Sequence, residues 1–243
     1  MKRAIALAAL AAAQSAQAAE TRFTTCPIYR DTDAGRKSGC WLADESTSGT
    51  RFDVSQAPTK PDWNYAILVE GKVADKQDNP CGGTVLDPVR VSVLDDRCPR
   101  HMIPAEGFPG RKFVLPRRNV SPSGDPRPVD PPPYGPRTFS IFFDFDRAFV
   151  TYQLSDWLFD NTVAWLKAAK PRRIVVTGFA VTDRGESANI ARDRATRIAQ
   201  SLAMLGIPGA RVKTGTNPPP TTAEGSDGLT EPSRRRVEVT ATF

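Results

Sequence analysis

One arginine stands alone on the apolar face of a helix-like run from Ser187 to Leu205. Ile190, Ala191, Ala195, Ile198, Ala199, Leu202 and Leu205 recur at the spacing of one helical stripe, and Arg194 falls within it, a turn from both Ile190 and Ile198. Arg192, Asp193, Arg197 and Gln200 lie on the opposite side. A guanidinium at the edge of a core needs an anionic partner, because an unpaired buried charge is too costly to keep. That partner is either the protein's own carboxylate or a ligand's.

Other residue types narrow the chemistry. The only histidine, His101, sits near Pro104 in a loop-like stretch, and the cysteines read as bonded, so neither a His-based nucleophile pair nor a zinc site assembles. Asp144 and Asp146 stand at i and i+2 of a strand-like run and face the same side, as a carboxylate pair would. Asp31-Thr-Asp33-Ala-Gly35 has the opening of a calcium loop but no bidentate Glu at the right distance, which makes it a turn. The expectation is a non-enzymatic protein with no cofactor and no metal.

The first residues address the compartment. Lys2 and Arg3 precede an apolar run from Ala4 to Ala13, and Ala16-Gln17-Ala18 offers an A-x-A cleavage site before Ala19. This reads as a secretory signal peptide over residues 1–18, too short to be a bilayer-spanning helix. Cys26 lies too far beyond it to be a lipoprotein acceptor. The mature chain is expected in the periplasm, associated with the cell wall or the outer membrane. All four cysteines, Cys26, Cys40, Cys81 and Cys98, fall in the first hundred residues and read as two disulfides. Of the three possible pairings, the expected one joins Cys81 to Cys98 across a pair of strands and Cys26 to Cys40 around a turn. The formal net charge is +6, and residues 138–243 carry 14 Lys/Arg against 11 Asp/Glu, too even a balance for a nucleic-acid surface.

The elements follow from pattern. Residues 19–115 show short β-branched runs between turn residues, Cys40–Ala43, Tyr65–Glu70, Gly83–Leu86 and Val89–Leu94, as in a small all-β sandwich or barrel. Val89, Val91 and Val93 alternate with Arg90 and Ser92, so one face is expected buried and the other wet. Residues 116–137 are rich in proline, favour extended geometry and, from Arg117 to Arg137, reach about 65 Å. They are expected to be a spacer that keeps two domains from packing as one unit; the alternative is a strap across one domain. Residues 138–243 alternate: a strand Phe139–Phe145, a helix Ser155–Ala169 capped by Ser155 with Leu158, Thr162, Trp165 and Ala169 inward, a strand Arg173–Ala180, the Ser187–Leu205 helix, then strands Ala210–Thr214 and Arg236–Thr242. The class is α+β, and the order β-α-β-α-β-β makes a two-layer sandwich.

Residues 138–243 resemble the OmpA-like C-terminal domain, the family of peptidoglycan-associated lipoproteins and flagellar stator proteins. The resemblance rests on Phe142-Phe-Asp-Phe-Asp-Arg-Ala148, Val176-Thr-Gly-Phe-Ala180, Ala191-Arg-Asp-Arg-Ala195, Leu205-Gly-Ile-Pro-Gly-Ala-Arg211 and Arg235-Arg-Val-Glu-Val239, in that order and spacing. It implies binding to the peptide stem of peptidoglycan at the free end of its diamino acid, with an arginine on the carboxylate and an aspartate on the ammonium. Matched residue by residue, Arg194 takes the arginine's place, Asp144 a first-strand aspartate near the ligand and Arg235 the arginine pair of the last strand. Val181 stands where the family has its aspartate, and Asp183 is the nearest carboxylate to replace it. Ser187 replaces the usual Asn, and Arg234 the polar residue before the last arginine pair. The resemblance thus implies an envelope protein anchored non-covalently to peptidoglycan, presenting its β domain to a partner in an envelope or outer-membrane complex. The alternative is a subunit of such a complex whose OmpA-like domain has lost peptidoglycan and serves protein contacts, with Arg194 in an ion pair with Asp144 or Asp183.

Overall fold

A computed structural model describes residues 19–32, 39–111, 128–150 and 153–243. The expected signal peptide, most of the Asp31–Gly35 turn and most of the proline-rich segment lie outside these residues.

The N-terminal half is one seven-stranded sheet: β1 (Thr21–Thr25), β2 (Pro27–Arg30), β3 (Cys40–Asp44), β4 (Arg51–Asp53), β5 (Tyr65–Val73), β6 (Thr84–Arg97) and β7 (His101–Ile103). The order across it is β1-β5-β6-β4-β3-β2-β7. Two of the expected strands, Gly83–Leu86 and Val89–Leu94, are a single long β6 that runs antiparallel to β5, with Val69 opposite Val91. Ile67, Val69, Leu86 and Val91 close over Ala43, Phe52 and Val54 to form its core.

The disulfides pair otherwise than expected: Cys26 with Cys98 and Cys40 with Cys81, with Cα–Cα distances of 5.6 and 5.7 Å. Register explains the correction. Thr25 faces Ile67 on β5 and Arg97 faces Tyr65 two residues away, so Cys26 and Cys98 leave the sheet side by side. β4 lies between β3 and the start of β6, with Leu42 opposite Asp53 and Phe52 opposite Thr84, which brings Cys81 to Cys40. The sequence spacing carries no trace of this, because the parallel β4–β6 pairing joins strands distant in the chain.

The C-terminal half runs β8 (Arg137–Phe142), α1 (Gln153–Ala169), β9 (Arg173–Ala180), α2 (Ile190–Met204), β10 (Arg211–Thr216), α3 (Thr230–Arg234) and β11 (Arg236–Thr242). The sheet order is β10-β9-β11-β8, with β9 and β10 parallel and β11 antiparallel to β9 and β8. Leu158, Thr162, Trp165 and Ala169 of α1 are buried as expected, and Ile198 and Leu202 of α2 join them over Val176, Val237 and Val239. Ser155 lies inside α1 and does not cap it; its hydroxyl donates to the Phe142 carbonyl at 2.9 Å. β8 ends at Phe142, so Asp144 and Asp146 follow the strand and do not share one of its faces; Asp146 sits at φ +50°.

The expected spacer is described only from residue 128 onward. Residues 128–136 run along the C-terminal half, where Val129 and Tyr134 pack on its core and Tyr134 meets Trp165 edge-on at 5.8 Å. The two halves themselves are in contact through a set of polar bonds. The supposedly wet residues of β6 show where: Arg90 and Ser92 are 4% and 1% exposed. Arg90 donates to the Asp227 carboxylate and the Gly225 carbonyl, while the Phe145 amide donates to Ser92 Oγ at 2.9 Å.

Candidate functional site

Three of the four residues assigned to ligand binding from sequence, Arg194, Asp144 and Arg235, are drawn into a network of buried charges. Arg194 is fully buried on α2, as its place in the apolar stripe requires. Its Nε donates to the Arg147 carbonyl at 2.8 Å, Nη1 to the Phe179 carbonyl at 2.8 Å and to Glu186 Oε2 at 3.1 Å, and Nη2 to the Asp144 carbonyl at 3.0 Å and to Glu186 Oε1. A guanidinium has five N–H donors, and five bonds consume them. The Phe143 ring lies under the same group, 5.2 Å from its centroid.

Glu186 is the counter-ion, and neither Asp144 nor Asp183 fills that role. It precedes α2 in the loop after β9, with no exposure of its side chain. Besides Arg194 it accepts from the Val181 amide at 2.8 Å and the Asp146 amide at 2.9 Å. Burial alone would raise its pKa, but the charge and hydrogen bonds of Arg194, the charge of Arg235 and the Val181 amide together hold it below the usual glutamate range. The position where the resemblance implies an aspartate is thus a buried valine whose backbone serves Glu186.

Arg235 precedes β11 and is 1% exposed. Its Nη1 donates to Glu70 Oε1 at 3.0 Å and its Nη2 to Glu70 Oε2, a bidentate pair reaching across to β5 of the other half. Arg22 of β1 adds a second cation to Glu70, with Nε 3.2 Å from Glu70 Oε1. Glu70 is 3% exposed; burial pushes its pKa up, and Arg235 with Arg22 more than offsets this, leaving it depressed. Arg235 is held charged in turn by Glu70, Glu186 and Asp144 against its complete burial. Asp144 is 3% exposed and accepts from Thr59 of the β half at 3.0 Å.

Asp183 stands apart. It lies in a short 3-10 turn, Thr182–Arg184, and its carboxylate takes Arg234 Nη2 at 3.0 and 2.9 Å. The structure therefore brings Arg194, Asp144 and Arg235 together and leaves Asp183 on the rim, paired with Arg234. Sequence reasoning missed Glu186, Glu70 and Arg22. Glu70 alone carried a legible signal, a charge closing the apolar run Tyr65-Ala-Ile-Leu-Val.

At the edge of the contact between the halves a cavity of about 510 Å³ opens, lined among others by Glu20, Arg22, Glu70, Lys72, Arg184 and Glu231. Its charges are matched within the protein: Lys72 with Glu20 at 3.5 Å, Arg184 with Glu231 at 3.2 Å and Arg22 with Glu70. Among the described residues no group of three or more His, Cys, Asp or Glu is arranged to hold a metal ion, and no helix is long and apolar enough to cross a membrane.

Four strands in the order β10-β9-β11-β8 and two long helices between strands fix the architecture of residues 137–242. This is the two-layer α+β sandwich that the resemblance of residues 138–243 to the OmpA-like domain implies. No family model matches the sequence and no curated protein matches it. Solved structures do. The cell wall anchor of the T6SS from Pseudomonas aeruginosa is 23% identical, with 44% of this chain and 81% of that chain covered and a TM-score of 0.33. The OmpA-like domain of FopA1 from Francisella tularensis subsp. tularensis SCHU S4 is 17% identical over 54% of this chain and 92% of its own, with a TM-score of 0.37. The peptidoglycan-associated lipoprotein from Burkholderia pseudomallei is 24% identical over 42% and 87%, with a TM-score of 0.34.

Proposed function

We propose that this is an exported, non-enzymatic cell-envelope protein whose OmpA-like half, in the arrangement described, does not bind peptidoglycan and is instead a docking platform for its own β half. The single observation that carries this reading is Arg194. All five of its donors are taken by protein acceptors, and Glu186 occupies the place a ligand carboxylate would need. A stem-peptide carboxylate would have to displace a carboxylate already held by two further backbone amides. Sedimentation with purified peptidoglycan tests it: the full chain stays in the supernatant, and Arg194→Ala changes nothing. Co-sedimentation abolished by Arg194→Ala would restore Arg194 as the anchor.

A second reading, a wall anchor that acts when the β half is lifted away, is favoured by Asp144 and Arg235. Both are retained at ligand-adjacent positions, and Thr59 and Glu70 of the β half lie on them. Under this reading the peptide stem of peptidoglycan meets Asp144 and Arg235, with the β half free to engage an envelope or outer-membrane complex. Wall binding that rises when the halves are parted would favour it.

A further inference from the structure

We infer that the β half is a reversible cover over the OmpA-like half, latched by Glu70 on Arg235, and that its release uncovers Asp144 and Arg235 together.

The contact between the halves is polar throughout its described bonds. Arg22 donates to the Arg184 carbonyl, Lys72 to the Gly228 carbonyl, Thr230 to Glu20, Arg90 to Asp227, and Arg147 to the Val93 carbonyl and Asp95. The hydrophobic clusters do not cross it: among the described residues one set draws only on positions up to Ile103, the other only on positions from Val129 onward. Each half keeps its own apolar core whether docked or not. Interfaces between domains that are polar and lack a shared core are those that permit relative motion.

The centre of the contact has the energetics of a latch. Glu70 and Arg235 are 3% and 2% exposed in their side chains, and each would be stranded if the other were removed in place. Separation strands neither, because water then hydrates both. For such a pair the attraction gained on closing is largely cancelled by the desolvation of two charges, so the pair itself adds little net preference for the docked state. Arg235 Nε is buried with no protein acceptor, a further cost carried only by the closed form. A ligand or partner that binds the uncovered face and not the closed one shifts this balance by its full preference. The cover holds whichever reading of wall binding stands.

Small-angle X-ray scattering of the full chain with Glu70→Gln tests the latch. The variant, with wild-type circular dichroism and both disulfides, is expected to show a radius of gyration larger by about a third, the difference between one compact body and two tethered ones. Arg235→Gln is expected to do the same from the other side. A folded Glu70→Gln or Arg235→Gln with the wild-type radius overturns the proposal. Should both fail to fold, urea titration of the wild type decides: an expansion that precedes loss of secondary structure upholds the latch, and coincident transitions sink it.

Discussion

Arg194 and Glu186, eight residues apart in sequence, form a bidentate ion pair in which neither side chain touches solvent. Removing one partner leaves the other charged, buried and unpaired. Glu186→Ala also strips the Val181 and Asp146 amides of their acceptor. Each single alanine variant is expected to cost about 3 to 5 kcal/mol, and the double variant less than the sum. Urea unfolding of the four proteins in this cycle measures it, and additive costs would show that the pair is not coupled.

Stability should fall in acid for a reason that can be signed. Glu70 and Glu186 both have depressed pKa values, so their contribution is complete above the unfolded glutamate value and disappears as pH falls through the lower folded one. Unfolding midpoints are expected to be level from neutral pH down to about 5 and to drop below roughly pH 4.3. In Glu70→Gln the drop should shrink; an unchanged acid limb would remove Glu70 from the account.

The C-terminal fold was legible in the sequence because its elements are long and periodic: β9 and β11 fall at the bounds read from pattern, and the inner face of α1 is the expected one. The isolation of Arg194 was legible too, since a charge in an apolar stripe is a local signal. Its partner was not. Glu186 lies in an irregular loop where no period distinguishes it from Asp183, and only the folded turn decides which carboxylate points inward. Arg90 and Ser92 mark the other limit: alternation on β6 correctly separates two faces, but it cannot reveal that the polar face is covered by the second half of the same chain. The short α3 was invisible as well, since Pro232 and the surrounding turn residues read as loop.

The disulfides offer a direct check on the β half. Peptide mapping of the unreduced protein is expected to recover Cys26 joined to Cys98 and Cys40 joined to Cys81, with no free thiol among them. The bridges close spans of 72 and 41 residues, so removing either pair should cost about 2 to 5 kcal/mol. A Cys26–Cys40 peptide would contradict the register of β1, β5 and β6.

Gly178 is where the helix that carries Arg194 rests on the sheet. It lies in the middle of β9, opposite Val237 on β11 and Thr214 on β10, so the strand around it is fixed on both sides by ladders. A Cβ built there would stand 1.9 Å from the Ala191 carbonyl oxygen and 3.0 Å from the Ala195 Cβ. Both obstacles belong to α2, one of them to its backbone, and neither can swing aside as a flexible side chain would. Gly178→Ala must therefore push α2 away from β9, and Arg194 moves with its helix, which stretches the bond its Nη1 donates to the Phe179 carbonyl one residue further along the strand. The expected cost is about 1 to 3 kcal/mol from overpacking, with further loss if the bonds to Glu186 lengthen. Gly215, facing Phe179 on the edge strand β10, is the comparison: its Cβ would meet only ring atoms of Phe179, at 2.7 Å and beyond, and a ring can turn. Urea unfolding of the two alanine variants should rank Gly178 well above Gly215, and equal costs would mean that α2 does not rest on this strand as described.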